Sequence, residues 1–176
     1  MDTAHSDDTV VIVDYDPLWP TLFEEERARI ELTIAAFSAS IDHMGSTAVP
    51  GLCAKPIVDL LVTVEAFGTP ERYIPALGPL GYVFRADPAN TERHAFGKRD
   101  AQGRRPVPGY NLHIVQQGGR EHWRTRAFRD YLRMHPEAAQ EYGDLKRRLA
   151  VTYGSDRDAY TRAKTAFVRS IEAQCL

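Results

Sequence analysis

Asp59 stands inside the run Ile57 to Val64, where every other residue except Thr63 is aliphatic. An ionised carboxylate in such surroundings costs on the order of several kcal/mol unless it is paired, hydrogen-bonded or bound to a metal. A companion beside Asp59 is therefore expected. Gly45-Ser46 would place backbone N–H groups and a hydroxyl on a turn that a phosphate can approach without meeting a Cβ, and Lys55 adds a cation ten residues later. A phosphate-bearing ligand with a divalent cation accounts for this set: the turn and Lys55 take the anion, and Asp59 takes Mg2+ or Mn2+. The plainer alternative is a glycine demanded by a sharp turn, with Asp59 bonded to backbone or to an arginine.

Other polar residues could gather around this centre. His113, in Asn111-Leu112-His113-Ile114-Val115, becomes a metal ligand or general base if its strand lies beside that of Asp59, and otherwise is a hydrogen-bonded core residue. His43 shares the turn with Ser46. Arg93 and Lys98 would add phosphate contacts, or else protect an exposed edge strand by their charge. Tyr160 and Lys164 lie one helical turn apart, so a base could stack on the ring while the ammonium reaches phosphate; packing is the competing explanation.

The elements that position these residues follow from periodicity and turn chemistry. Val10 to Val13 reads as a short strand, and Asp16-Pro17-Leu18-Trp19-Pro20 opens a helix with a stripe of Phe23, Ile30, Ile34 and Phe37, ending near Phe37. Strands are expected around Ser40 to His43, over Ile57 to Val64, and over Gly81 to Arg85, with a helix over Pro70 to Leu80 between the last two. Arg93 to Lys98 and Gly109 to Val115 read as antiparallel strands around a Gly-, Arg- and Pro-rich loop. From Arg120 the pattern turns helical: Trp123, Ala127, Tyr131 and Leu132 share a face, Pro136 opens a helix with Tyr142, Leu145, Leu149 and Tyr153, and a third carries Tyr160, Phe167 and Ile171 behind a Ser155 cap. The expected architecture is α+β, a mixed sheet buttressed by the first helix and a C-terminal helical subdomain.

Length and composition bound the rest. The 176 residues, 43% hydrophobic and 26% charged, suit one domain, with an α/β core over 10–119 and a helical part over 120–176. A formal charge of −2 gives no general attraction to nucleic acid or anionic membrane. The helical part nonetheless carries 12 Lys and Arg against 8 Asp and Glu, consistent with a basic cover over an anionic ligand. Cys53 and Cys175 form no disulfide framework or thiolate zinc pattern, no apolar run approaches the roughly 18 residues of a membrane span, and the acidic start, Met1 to Asp8, has no apolar leader. A cytoplasmic protein with a frayed start is the expectation.

The run from His43 through Gly45-Ser46-Thr47-Ala48-Val49-Pro50-Gly51-Leu52 to Lys55-Pro56-Ile57-Val58-Asp59 resembles the GrpB family, as do Asn111 to Val115, Phe128 to Arg133 and Tyr160 to Thr165. The resemblance extends from about Val10 to Ile171. That family is similar to the nucleotidyltransferase superfamily, with its polymerase-beta-like fold, and some members are fused to dephospho-CoA kinase. The resemblance implies that Gly45 and Ser46 hold a nucleotide and that Asp59 is the first metal carboxylate. This sequence departs from the superfamily at Leu61, where a second acid usually stands two residues along the same strand face. His113 would take the place of the third acid, and such an Asp/His site would be more hospitable to Mn2+, Zn2+ or Ni2+ than a pure carboxylate pair is.

Three readings follow. One is a metal-dependent nucleotidyltransferase in which an acceptor attacks the α-phosphorus of a nucleotide and pyrophosphate leaves, with Asp59 and His113 catalytic. The second is a non-catalytic protein binding a nucleotide, coenzyme or small anion on the same scaffold, favoured by Leu61. The third is a metal-dependent hydrolase built on His43, Asp59 and His113.

Overall fold

The computed structural model describes residues 9–175; the acidic segment Met1 to Asp8 lies outside them. Five strands form one sheet in the order β1-β2-β5-β4-β3: β1 (Ser38–Met44), β2 (Ile57–Val64), β3 (Tyr82–Arg85), β4 (Arg93–Lys98) and β5 (Gly109–Gln116). Only the β2–β5 pair is parallel, so the sheet is mixed, and the Asp59 strand does lie beside the His113 strand. Their register sets Asp59 against Asn111 and Leu61 against His113.

Alternation along the strands sends Val58, Leu60, Val62, Val64, Leu112 and Ile114 to one face. They pack there with Trp19, Phe23, Ile30 and Ile34 of α1 (Trp19–Ile34) and Leu77 of α2 (Ile74–Leu77). That face also buries Glu26, which accepts from Tyr82 Oη at 2.9 Å and pairs with Lys98 Nζ at 2.6 Å. The opposite face carries Asp59, Leu61, Asn111 and His113, and meets the helices α3 (Arg120–Met134), α4 (Pro136–Tyr153), α5 (Arg157–Ala163) and α6 (Thr165–Cys175). No helix among the described residues is long and apolar enough to cross a membrane.

Several expected elements take a different form. Val10 to Val13 makes only an isolated bridge between Val13 and Ala54, because Pro56, two residues beyond Ala54, has no N–H to extend a ladder. The first helix stops at Ile34, and Phe37 closes a turn onto the Ile34 carbonyl at 2.8 Å. Residues 70–80 form three short helical pieces, each restarted by a proline at its first turn: Pro70, Pro75 and Pro79. The third C-terminal helix divides at Lys164 into α5 and α6, and its cap is Asp156, whose carboxylate accepts from Ala159 N at 2.9 Å, not Ser155. On α3, Trp123 is exposed while Glu121, His122, Arg129 and Leu132 are buried. That interface is partly ionic: Arg124 joins Glu121 at 2.7 Å to Glu172 of α6 at 2.6 Å.

His43 belongs to this scaffold. Its ring stacks on Phe23 at 4.7 Å, and its Nε2 shares a hydrogen bond with Thr47 Oγ1 at 3.0 Å. Burial pushes its pKa down to about 4, aided by Arg133 and Arg129 and opposed by Asp59, so the folded chain holds it neutral. The unfolded chain takes up this proton first, so the stability from a neutral His43 is present above about pH 6.5 and is lost as pH falls toward 4. Between pH 7 and pH 4, wild type should lose about 3 kcal/mol more than His43→Gln in urea unfolding; parallel losses would show that His43 is not held neutral.

Candidate active site

The site is built around the close approach of Gly45 to Asp59. Gly45 follows β1 with φ 71° and ψ −169°, a region that only glycine occupies without strain. A Cβ at Gly45 would fall onto Asp59 Oδ2. One glycine thus permits both the turn into the single 3-10 turn Ser46–Ala48 and the contact with the carboxylate. Two arginines one helical turn apart on α3 hold this bend from outside: Arg129 donates to the His43 carbonyl at 3.1 Å and Arg133 to the Ala48 carbonyl at 2.8 Å.

Asp59 Oδ1 accepts from Asn111 Nδ2 at 2.8 Å and lies 3.7 Å from His113 Nε2. Burial alone would raise its pKa, but His113, Asn111 and Lys55 outweigh burial and hold it below the ordinary carboxylate value. Its side chain keeps 25% of its surface accessible, and that opening faces a cavity of about 330 Å3 lined by Gly45, Ser46, Lys55, His113, Tyr160 and Lys164. Lys55 Nζ and Lys164 Nζ lie 5.6 and 4.4 Å from the Tyr160 ring centre. Burial lowers each lysine to about 8; Lys164 and Arg157 lower Lys55 further, Arg157 lowers Lys164, and Asp59 opposes in both cases. Tyr142, Thr161 and Lys164 also line a cavity of about 640 Å3 between α3 and α6. Asp59 and His113 also line a cavity of about 190 Å3 whose walls include Arg93 and Arg129.

Gly45, Ser46, Lys55, Asp59, His113, Tyr160 and Lys164 therefore converge on one cleft. Arg93 reaches its edge, already paired with Asp87 at 3.1 Å and lying 4.0 Å from Glu121. Two expected members do not join. Lys98 points to the opposite face, where it pairs with Glu26, and the His43 ring is spent on Phe23 and Thr47. A three-ligand set of His43, Asp59 and His113 is not assembled.

The donor set does not fit a resident divalent metal. Among the described residues, Asp59 and His113 are the only acid and imidazole lining the cavity; Leu61 and Met44 fill the adjoining face, and no three described His, Cys, Asp or Glu come together to hold an ion. His113, Asn111 and Lys55 favour the ionised form of Asp59.

Some site residues were not expected from sequence. Asn111, spaced two residues from His113 and hence on its strand face, orients Asp59; that spacing was the available signal. Lys146 of α4 is 2% exposed, lines the cavity, donates to the Cys53 carbonyl and lies 4.7 Å from the Tyr142 ring centre. Burial lowers its pKa to about 7. Nothing in its polar helical surroundings in sequence marks it.

Replacing Gly45 by alanine should strain the turn by about 1–3 kcal/mol and displace the Asp59 carboxylate. Urea unfolding checks this; unchanged stability would contradict the tight approach.

Comparison with known proteins bears on the family and the fold. A family model described as GrpB protein matches residues 9–174. A UPF0157 protein of Pseudomonas aeruginosa is 39% identical over 97% of this chain and 69% of its own length. A dephospho-CoA kinase of Mycolicibacterium paratuberculosis is 28% identical over 91% of this chain, which spans 44% of that protein. The crystal structure of the conserved protein GrpB from Enterococcus faecalis superposes with a TM-score of 0.82 and 32% identity, covering 94% of this chain and 96% of that one. Cid1 in complex with the UTP analogue UMPNPP gives a TM-score of 0.53 at 11% identity over 85% of this chain and 48% of its own, a likeness of fold.

Proposed function

This chain belongs to the GrpB family and carries a nucleotidyltransferase-like fold, and from that premise we propose that its cleft binds a nucleotide or a related phosphate-bearing small molecule, such as a coenzyme, through side-chain cations. The observation that carries the reading is the convergence of Lys55 and Lys164 on Tyr160 opposite the Gly45-Ser46 turn, inside one cavity. The turn offers hydrogen-bond donors and the two ammonium groups neutralise phosphate oxygens. Asp59 repels the phosphates and accepts hydrogen bonds from hydroxyl or amino groups of the ligand. The Cid1 complex, of the same fold, holds a UTP analogue, and the dephospho-CoA kinase relative is named for coenzyme chemistry; both point to the same ligand class.

With both lysines near pKa 8, ATP binding is strongest where they are protonated and weakens as pH rises through that value. Calorimetry near pH 7 should find ATP binding that falls about tenfold or more in Lys164→Ala. Equal affinities in wild type and variant would remove Lys164 from the site.

A second reading, nucleotidyl transfer, is favoured by the Asp59–His113 pair at the floor of the same cavity. An acceptor hydroxyl would form a bond to the α-phosphorus, the bond to pyrophosphate would break, and the hydroxyl proton would pass to this pair. Incubation with ATP and candidate acceptors should then release pyrophosphate in wild type and about a hundredfold less of it in Asp59→Asn. Equal release from both proteins would exclude Asp59 from the chemistry, and no release from either leaves binding as the activity.

A further inference from the structure

The cavity of about 190 Å3 shares Gly45, Asp59 and His113 with the lysine-lined cavity, yet the nucleotide reading makes no use of it. Met44 and Leu61 from the sheet, Phe128 from α3 and Val168 from α6 give it an apolar wall. Met44 and Leu61 are each 1% exposed and pack with Val115. Phe128 meets Tyr142 edge to face with ring centres 5.5 Å apart, and Tyr142 stacks on Phe167 of α6 at 5.0 Å. Packing of the fold itself therefore builds this wall. Leu61, on the same strand face as Asp59, supplies carbon where an acid would have drawn in a cation.

Charge decides what such a cavity accepts. Three arginines line it and each already has an acid: Arg93 meets Asp87 at 3.1 Å, Arg124 meets Glu172 at 2.6 Å and Arg129 meets Asp130 at 2.7 Å. With those guanidinium charges answered, an anionic occupant would meet the ionised Asp59 without compensation. A neutral hydroxyl can instead donate to that carboxylate, whose side chain keeps 25% of its surface accessible. An engineered apolar cavity of roughly 150 Å3 holds one benzene molecule. This one accordingly suits a single ring or a short branched chain bearing a hydroxyl.

We propose that this cavity is the subsite of a second substrate, a small neutral alcohol with an apolar body that presents its hydroxyl to the Asp59–His113 pair. The inference deepens the transfer reading and rests on it only for the fate of the hydroxyl; occupancy of the cavity does not depend on a nucleotide. In that reading the hydroxyl oxygen bonds to the α-phosphorus, pyrophosphate leaves with the electrons of the broken bond, and the hydroxyl proton passes to the pair.

Benzyl alcohol, titrated into the full chain and followed by the methyl resonances of Met44, Leu61 and Val168, tests this. Wild type should show saturable shifts at those methyls, with benzoate binding about tenfold or more weaker because its carboxylate meets Asp59. Val168→Phe puts a ring into the cavity and should weaken benzyl alcohol about tenfold or more, with thermal unfolding reporting that the variant is folded. No saturable shift at these methyls in wild type, or benzoate bound as tightly as the alcohol, overturns the proposal, and neither result depends on a variant. Equal benzyl alcohol affinity in a folded Val168→Phe overturns it as well. ATP calorimetry alongside separates the two claims. Alcohol binding in a chain that binds no ATP removes the nucleotide reading and leaves the alcohol subsite standing, whereas ATP binding without alcohol binding does the reverse.

Discussion

The placement of one carboxylate against one glycine governs this molecule. Asp59 lies so close to Gly45 that no side chain fits between them, and a buried negative charge at that point must be answered by positive charge or hydrogen-bond donors. Asn111, His113 and Lys55 supply the answer. They come from β5 and from the segment leading into β2, so the charge balance of one residue ties the β2–β5 pairing to the course of the turn. Arg129 and Arg133 complete the arrangement by tying α3 to the backbone on either side of that turn.

The way the charge is answered bears on function. A carboxylate pair that holds two metals requires a second acid on the same strand face, and that position is Leu61, 1% exposed and packed with Met44 and Val115. The cleft instead gathers Lys55, Lys146 and Lys164. Side-chain cations can neutralise phosphates as a metal does, but each stays attached to an element of the fold, so under the proposed reading a bound ligand would be oriented by the relative position of sheet and helices. Lys164 sits at the break between α5 and α6, which makes the helical part a contributor to the site and not only a cover over it.

Much of this was legible in the sequence. The β2 run, the glycine before the turn and the tyrosine-lysine pair at Tyr160 and Lys164 are local patterns, and the GrpB resemblance joined them. What sequence reading lost was face and distance. Arg93 and Lys98 are five residues apart on one strand and so must point to opposite faces; the parity alone separates them, and Glu26, buried on α1, is the partner that Lys98 finds. His43 precedes the turn by two residues and would be expected near Ser46, yet its ring lies on the α1 side. Lys146 reads as a surface residue of a polar helix until α4 is laid against Cys53.

The central claim is that side-chain cations, and not a bound divalent metal, hold the phosphates. Calorimetric titration with ATP in EDTA, compared with the same titration in excess Mg2+, tests it most directly. Comparable affinity in the two conditions is the predicted result; binding that appears only when Mg2+ is present would contradict it.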